Sequence, residues 1–109
     1  MNLIAAAQMV STADKARNVD SALRLVRRAA DLGARLVGLP ENFSWMGPET
    51  ERAAAAETLE GPTLSRMAEV ARERKVTLLS GSFVVQVARG GRLYNTTVVF
   101  GPDGSRLAV

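Results

Sequence analysis

Two short apolar runs on either side of one long amphipathic segment restrict the topology of this chain. Residues 2–9 and 35–39 are apolar and bounded by polar turn residues, as is typical of strands buried on both faces. Between them, apolar residues recur at helical spacing over about residues 15–32, with Asp14 as the expected N-cap and Gly33 as the expected C-terminal cap. Two strands joined by such a helix are expected to be parallel neighbours with a right-handed connection.

The same alternation continues and then gives way to hairpin patterns. The predicted order is β-α-β-α-β followed by antiparallel strands, which is an α/β fold without a repeat or linker. The predicted elements after the second strand are a weakly periodic helical stretch over 48–59, a helix starting at Gly61-Pro62-Thr63, a strand over 76–80, two strands over 83–88 and 93–100 flanking a Gly-Gly turn, and the start of another strand over 105–109.

The composition excludes several classes of catalytic site. The chain has no cysteine and no histidine, so it holds no disulfide, no thiolate or His-ligated metal site, no cysteine nucleophile and no Ser-His-Asp triad. It also contains no glycine-rich phosphate-binding loop. We therefore expect neither a metal nor a cofactor.

The charge pattern argues against nucleic acid as a partner. Fourteen basic and eleven acidic residues leave a net charge of +3. Acids and bases alternate, as over residues 69–75, whereas phosphate binding requires clustered positive charge. The apolar run over 3–10 is too short to span a bilayer and has no basic segment before it. We expect a cytoplasmic protein with no membrane association.

One acidic side chain follows the second strand, at the edge where open α/β sheets bind ligands. Pro40 restricts the backbone on both sides of it, so Glu41 leaves the strand from a stiff base. Surroundings of low polarity at this edge of the sheet would suit Glu41 to act as a general base. The alternative is a solvated acid at a helix N-terminus, and the spacing leaves both open.

Other polar and aromatic residues have two interpretations each. Phe43 and Trp45 are candidates for the wall of a substrate pocket, with core or interface packing as the alternative. Both lysines, Lys15 and Lys75, are expected to be solvated, as are the acidic residues near the second helix, Glu57 and Glu60.

A series of short motifs, taken in order, resembles the N-terminal part of the nitrilase superfamily, the carbon–nitrogen hydrolases. Each motif is weak, but their order and spacing extend over almost the whole chain. The Asn-Phe pair after Glu41, with Met46-Gly47 close behind, is similar to the Nit-type amidase branch. That branch cleaves small amides of dicarboxylic acids, including omega-amides and deaminated glutathione. The matching motifs are Ala6-Ala7-Gln8, Asn18, Ala29-Ala30, Gly33-Ala34, Leu39-Pro40-Glu41-Asn42-Phe43, Glu60-Gly61-Pro62, Gly81-Ser82, Tyr94-Asn95-Thr96, Val98 and Pro102-Asp103-Gly104.

The resemblance implies a fold and a catalytic mechanism. The fold is a four-layer α-β-β-α sandwich, and the mechanism uses a Glu-Lys-Cys triad without metal or cofactor. Glu41 matches the glutamate that acts as general base on the cysteine thiol. Tyr94 and Asn95 match a position near the active site, with a structural role in their strand as the alternative.

The resemblance also implies that the triad is incomplete here. The family lysine follows the strand that begins at residues 105–109, and the cysteine lies further on. We therefore expect residues 1–109 to be the N-terminal part of a single domain that is inactive alone. The intact enzyme is expected to hydrolyse a small amide and to form a homo-oligomer. The alternatives are a nitrilase or carbamoylase, or a non-catalytic module that binds a partner through an open sheet edge.

Overall fold

The computed structural model describes residues 2–109, which form one five-stranded sheet, a separate two-stranded hairpin and a layer of helices. A short 3₁₀ turn over Glu49–Glu51 precedes the second helix. In chain order the elements are β1 (Leu3–Ala6), α1 (Lys15–Asp31), β2 (Ala34–Gly38), α2 (Arg52–Ala55), α3 (Pro62–Arg74), β3 (Thr77–Leu79), β4 (Phe83–Gln86), β5 (Leu93–Thr96), β6 (Val99–Phe100) and β7 (Arg106–Ala108).

The sheet has the strand order β1-β2-β3-β6-β7. The first three strands are parallel, and β6 and β7 are antiparallel additions beside β3. The hairpin β4–β5 stands outside this sheet. The predicted order of parallel strands followed by antiparallel ones is therefore confirmed, and the carboxyl ends of β1, β2 and β3 meet at one edge.

Helix α1 begins and ends where the sequence predicts. The Asp14 side chain accepts a hydrogen bond from the Arg17 backbone N–H at 3.1 Å. The chain leaves the helix through Leu32 and turns at Gly33, whose φ of 97° favours glycine. The apolar positions along the predicted stripe are buried or partly buried against the sheet: Val19, Ala22, Leu23, Val26, Ala29 and Ala30.

Helices α1 and α3 pack on the same face of the sheet and are joined by exposed ion pairs. Arg66 contacts Asp20 at 2.9 Å and Arg74 contacts Asp31 at 2.8 Å. Each exposed pair contributes little to stability. Together they show that arginines on this face meet acids, so the positive charge does not form a stripe. No helix among residues 2–109 is both long and apolar enough to cross a membrane.

The predicted strand over 93–100 is wrong, because two strands in different sheets occupy that run. Residues 93–96 pair with β4, whereas residues 99–100 pair with β3. The chain changes sheet beside Ser80, whose backbone N–H donates to the Val98 carbonyl at 2.9 Å and whose Oγ accepts from the Val98 N–H at 3.1 Å. The residues at the crossing, Thr96-Thr97-Val98, are β-branched and favour a strand throughout, so the sequence pattern does not reveal the change of sheet.

The predicted helical stretch over 48–59 is reduced to the 3₁₀ turn and the four residues of α2. Ala53 and Ala54 are exposed, so little packing supports a longer helix here. The chain then extends, and Glu57 forms an isolated parallel bridge with Val85 of the hairpin.

Burial of the first strand on both faces is not shown by the described residues and stays a prediction. Residues 3–6 form an edge strand with β2 as its neighbour. Ala5 packs partly against the core, whereas Ile4 on the opposite face is 76% exposed. The helices cover one face of the sheet, and apolar side chains remain exposed on the other. The four-layer arrangement stays a prediction.

A partly buried ion pair connects the N-termini of α1 and α3. The Lys15 ammonium contacts the Glu57 carboxylate and donates to the Ala55 carbonyl at 2.7 Å. Glu57 also accepts hydrogen bonds from the Thr63 backbone N–H at 2.9 Å and from its hydroxyl at 2.7 Å. The prediction that Lys15 and Glu57 are solvated is therefore wrong. The two charges pair with each other, and the Glu57 carboxylate also accepts hydrogen bonds from the first turn of α3.

These contacts lower the pKa of the Glu57 carboxyl. Burial by itself raises the pKa of the Glu57 carboxyl, but the hydrogen bonds from Lys15 and Thr63 outweigh burial and hold that pKa below its ordinary value. A carboxyl with a lowered folded-state pKa stabilises the fold above its ordinary titration range. That contribution is lost as the pH falls through the folded-state pKa.

We expect Glu57→Gln to lower the free energy of unfolding by about 2 kcal/mol near neutral pH, because the charged acceptor of three hydrogen bonds is lost. The difference from the unsubstituted chain should shrink as the pH falls below the ordinary titration range of glutamate, because the unfolded unsubstituted chain then takes up a proton at this carboxyl. Urea denaturation at about pH 7 and about pH 3 measures both effects.

Glu60→Gln is the matched control, because Glu60 is three residues away and its side chain is 74% exposed. It should change the free energy of unfolding by less than about 0.5 kcal/mol. Equal effects of the two substitutions at neutral pH would contradict a structural role for the buried carboxylate.

Candidate active site

Glu41 lies in a turn just beyond the carboxyl end of β2. The Leu39 backbone N–H donates to the Leu79 carbonyl at 3.0 Å, so the pairing of β2 with β3 extends to the residue before Pro40. Asn42 follows with a φ of 53°, a left-handed conformation that asparagine tolerates better than most residues. The turn therefore presents Glu41 at the edge where ligands bind in open α/β sheets.

The segment that follows β3 forms the base on which this turn rests. The Ser82 N–H donates to the Pro40 carbonyl at 3.3 Å, and the Ser82 Oγ accepts from the Asn42 N–H at 3.1 Å. Gly81 approaches so closely that a β-carbon there would lie 2.1 Å from the Pro40 carbonyl oxygen, and its φ is 66°. A side chain at Gly81 is therefore excluded by both space and conformation.

Asn18 of α1 ties the loop after Glu41 to the loop after β1. Its side chain is buried, and its Nδ2 donates to the carbonyls of Thr12 at 2.6 Å and Ser44 at 3.0 Å. Its Oδ1 accepts from the Thr12 N–H at 3.0 Å. The Met46 N–H donates to the same Thr12 carbonyl at 2.9 Å. These bonds satisfy backbone groups of two loops and hold their positions.

The structure places Phe43 in the core. Its side chain is fully buried and meets Phe83 edge to face, with ring centroids 6.1 Å apart. The described residues thus show the packing alternative for Phe43, and a role in substrate contact stays a prediction. Trp45, two residues further on, lines the cleft beside Glu41.

The Glu41 side chain is exposed at one side of an open cleft of about 340 Å³. Its Oε1 accepts a hydrogen bond from the Asn95 Nδ2 of β5 at 3.3 Å. The cleft lies between the loop after Glu41 and the hairpin residues Val84 and Asn95. Within residues 2–109 the Glu41 side chain is exposed, because it leaves the sheet where no described element covers it, and low-polarity surroundings for it stay a prediction.

The predicted residues Tyr94 and Asn95 separate on the two sides of the hairpin strand. Asn95 contacts Glu41, whereas Tyr94 is half exposed and does not line the cleft beside Glu41. Both residues line a neighbouring apolar groove with Leu59 and Val87. Consecutive residues of a strand point to opposite faces, which accounts for the separation. Of the five residues that the sequence singles out for the site, the structure therefore brings three to one cleft: Glu41, Trp45 and Asn95.

Three residues of the site have no predicted role in the sequence. Gly81 and Ser82 support the turn that carries Glu41, and Arg52 lines the cleft. Arg52 starts α2 and lines the cleft together with Glu41. The signal for Gly81 was its position directly after the third parallel strand, whereas nothing in the sequence distinguished Arg52 from the other arginines.

This arrangement can accept a proton and orient an amide group. Glu41 supplies a carboxylate on a rigid turn, and Asn95 donates a hydrogen bond to it. Neither lysine lines the cleft within residues 2–109, since Lys15 binds Glu57 and Lys75 ends α3. The chain has no cysteine, so it contains no thiol nucleophile.

We expect Gly81→Ala to lower the free energy of unfolding by about 3 kcal/mol, because it adds a backbone clash to an unfavourable positive φ. It should also shift the backbone NMR signals of residues 40–43. Gly90→Ala is the matched control, with a φ of 73° and nothing within 4 Å of the added carbon. That change should cost about 1 kcal/mol, and equal costs would contradict the close contact with Pro40.

Comparison with known proteins gives consistent matches. A sequence model described as Carbon-nitrogen hydrolase matches residues 3–109. The deaminated glutathione amidase of Synechocystis sp. is 39% identical over 107 residues, which cover 97% of this chain and 39% of that protein. The omega-amidase NIT2 of Mus musculus is 40% identical over 104 residues, which cover 95% of this chain and 37% of that protein.

Comparison with solved structures also finds a similar fold. The crystal structure of the C. elegans NitFhit protein superposes with a TM-score of 0.80 at 26% identity, covering 96% of this chain and 26% of that one. The chain spans about two fifths of the length of the curated relatives it matches. Since the family model matches nearly every residue, this chain belongs to the carbon–nitrogen hydrolase family.

Proposed function

We propose that this chain is the glutamate-bearing part of an amidase that hydrolyses a small linear amide of a dicarboxylic acid. The observation that carries the proposal is the position of Glu41, which stands on a rigid turn at the carboxyl ends of the parallel strands and faces an open cleft. Family membership supports a carbon–nitrogen bond as the bond that is cleaved.

In the proposed reaction Glu41 is the general base. It accepts the proton of a cysteine thiol outside these 109 residues, and the sulfur attacks the amide carbonyl carbon. The carbon–nitrogen bond then breaks, and the proton on Glu41 passes to the nitrogen, which leaves as ammonia. A water molecule attacks the thioester while Glu41 takes its proton. The acid leaves, and that proton returns to the sulfur.

The second member of the proposed triad is a lysine, also outside these residues, whose charge would stabilise the oxyanion formed at the carbonyl. Asn95 contributes from this chain, because its amide holds the Glu41 carboxylate from the side of the hairpin. Thus Glu41 carries the proton and Asn95 fixes its orientation.

The relatives support the amidase branch over the alternatives. Both of those described above are named for amide hydrolysis, one of deaminated glutathione and one of omega-amides. A nitrilase or carbamoylase finds no comparable support among them. The cytoplasmic location and the homo-oligomer stay predictions.

A chimera tests the proposal, because the chain alone lacks a nucleophile. Residues 1–109 replace the matching segment of the Synechocystis amidase, which keeps that enzyme's remaining sequence. We expect the chimera to release ammonia from a dicarboxylic acid monoamide. Glu41→Gln should lower the rate by about 10²–10⁴-fold, because a positioned general base contributes that much.

Glu69→Gln is the matched control, since Glu69 is an exposed acid on α3 outside the cleft. It should leave the rate unchanged, and circular dichroism should show the same fold for both variants. The 109-residue chain alone should release no ammonia. A folded chimera whose rate is insensitive to Glu41→Gln would refute the assigned role.

A further inference from the structure

The cleft beside Glu41 contains an arginine whose donors are mostly unused. Arg52 lines the cleft with Glu41 and Asn95. Its Nε is buried and has no hydrogen-bond partner within residues 2–109. Its Nη1 makes one contact, with the Glu49 carboxylate at 3.5 Å. A guanidinium has five N–H donors, and because the Nε–H is buried, the donors left for a ligand are those of Nη1 and Nη2.

The contact with Glu49 is easily displaced. A separation of 3.5 Å is long for a charge-assisted hydrogen bond, and the Glu49 side chain is 82% exposed. Exposed pairs one helical turn apart contribute little. By contrast, the Arg52 side chain is two-thirds buried, so its position is held by the surrounding residues.

The other arginines that form ion pairs differ in their location. Arg66 and Arg74 meet acids of α1 at 2.9 Å and 2.8 Å on the helical face, away from the cleft. Arg27 and Arg106 also meet acids at long distances, 3.4 Å and 3.3 Å, but neither lines the cleft. Arg52 therefore stands out by its place beside the candidate base. A carboxylate is the natural ligand, because its two oxygens match the paired N–H groups of a guanidinium.

We propose that Arg52 determines specificity by binding the carboxylate of a dicarboxylic acid monoamide whose amide end lies at Glu41. This inference rests on the proposed amidase function and names the residue that selects the charged end of the substrate. The incoming carboxylate replaces Glu49 on the guanidinium. Trp45 and Met46, which line the same cleft, contact the methylene chain between the two ends.

Binding to the 109-residue chain tests this directly. Glutaramate, which has an amide at one end and a carboxylate at the other, is titrated into ¹⁵N-labelled protein and compared with neutral pentanamide. We expect glutaramate to shift the signals of Arg52 and Asn95 and to bind about tenfold more tightly than pentanamide. Arg52→Gln should remove this preference and leave pentanamide binding unchanged.

Arg66→Gln is the matched control, because it removes the same charge from the helical face and should preserve the preference. Added salt should weaken glutaramate binding and leave pentanamide binding unaffected. The inference is overturned if the chain does not bind glutaramate, if pentanamide binds equally well, or if Arg52→Gln retains the preference.

The chimera separates this inference from the function on which it rests. Ammonia release that depends on Glu41 but does not discriminate glutaramate from pentanamide would refute the role of Arg52 and leave the amidase proposal standing. A folded chimera that hydrolyses neither amide would refute the amidase proposal, even if the chain binds glutaramate through Arg52.

Discussion

The contact between the carboxyl ends of β2 and β3 is the constraint on which the candidate site depends. Gly81 lies against the Pro40 carbonyl with no room for a side chain, and Ser82 bonds to backbone groups on both sides of Glu41. A parallel pair of strands sets the two segments side by side, and the glycine lets them close. The direction in which Glu41 leaves the sheet follows from this contact.

The loop that continues from Glu41 is held at one end by a buried polar side chain and at the other by a partly buried one. Asn18 binds the Ser44 carbonyl near its start, and Lys15 binds the Ala55 carbonyl and Glu57 near its end. Both anchors come from the first turn of α1, so one helix end positions the segment that carries Arg52. Because a buried polar group without a partner destabilises a fold, these anchors favour one arrangement of the loop.

Much of the fold could be predicted from periodicity and capping. The boundaries of α1, the parallel β1-β2-β3 arrangement and the change to antiparallel strands all followed from local patterns. The failures share a physical cause, since each depends on long-range partners. Ser80 draws Val98 into a different sheet from β5, and Thr63 and Lys15 bind Glu57 as a partly buried carboxylate. Neither event changes the local sequence pattern.

In the candidate site, too, some features follow from the sequence alone and others only from the tertiary structure. The sequence determined that a glutamate, Glu41, follows a stiff turn, because Pro40 restricts its own φ and the conformation of the residue before it. The absence of cysteine also excludes a thiol nucleophile within these residues. The tertiary structure decided which side chains share the cleft with Glu41. It brings Asn95 across 54 positions of sequence, turns Phe43 into the core and sets Arg52 beside the cleft. Such contacts depend on how distant strands and loops pack, and packing is a property of the whole fold.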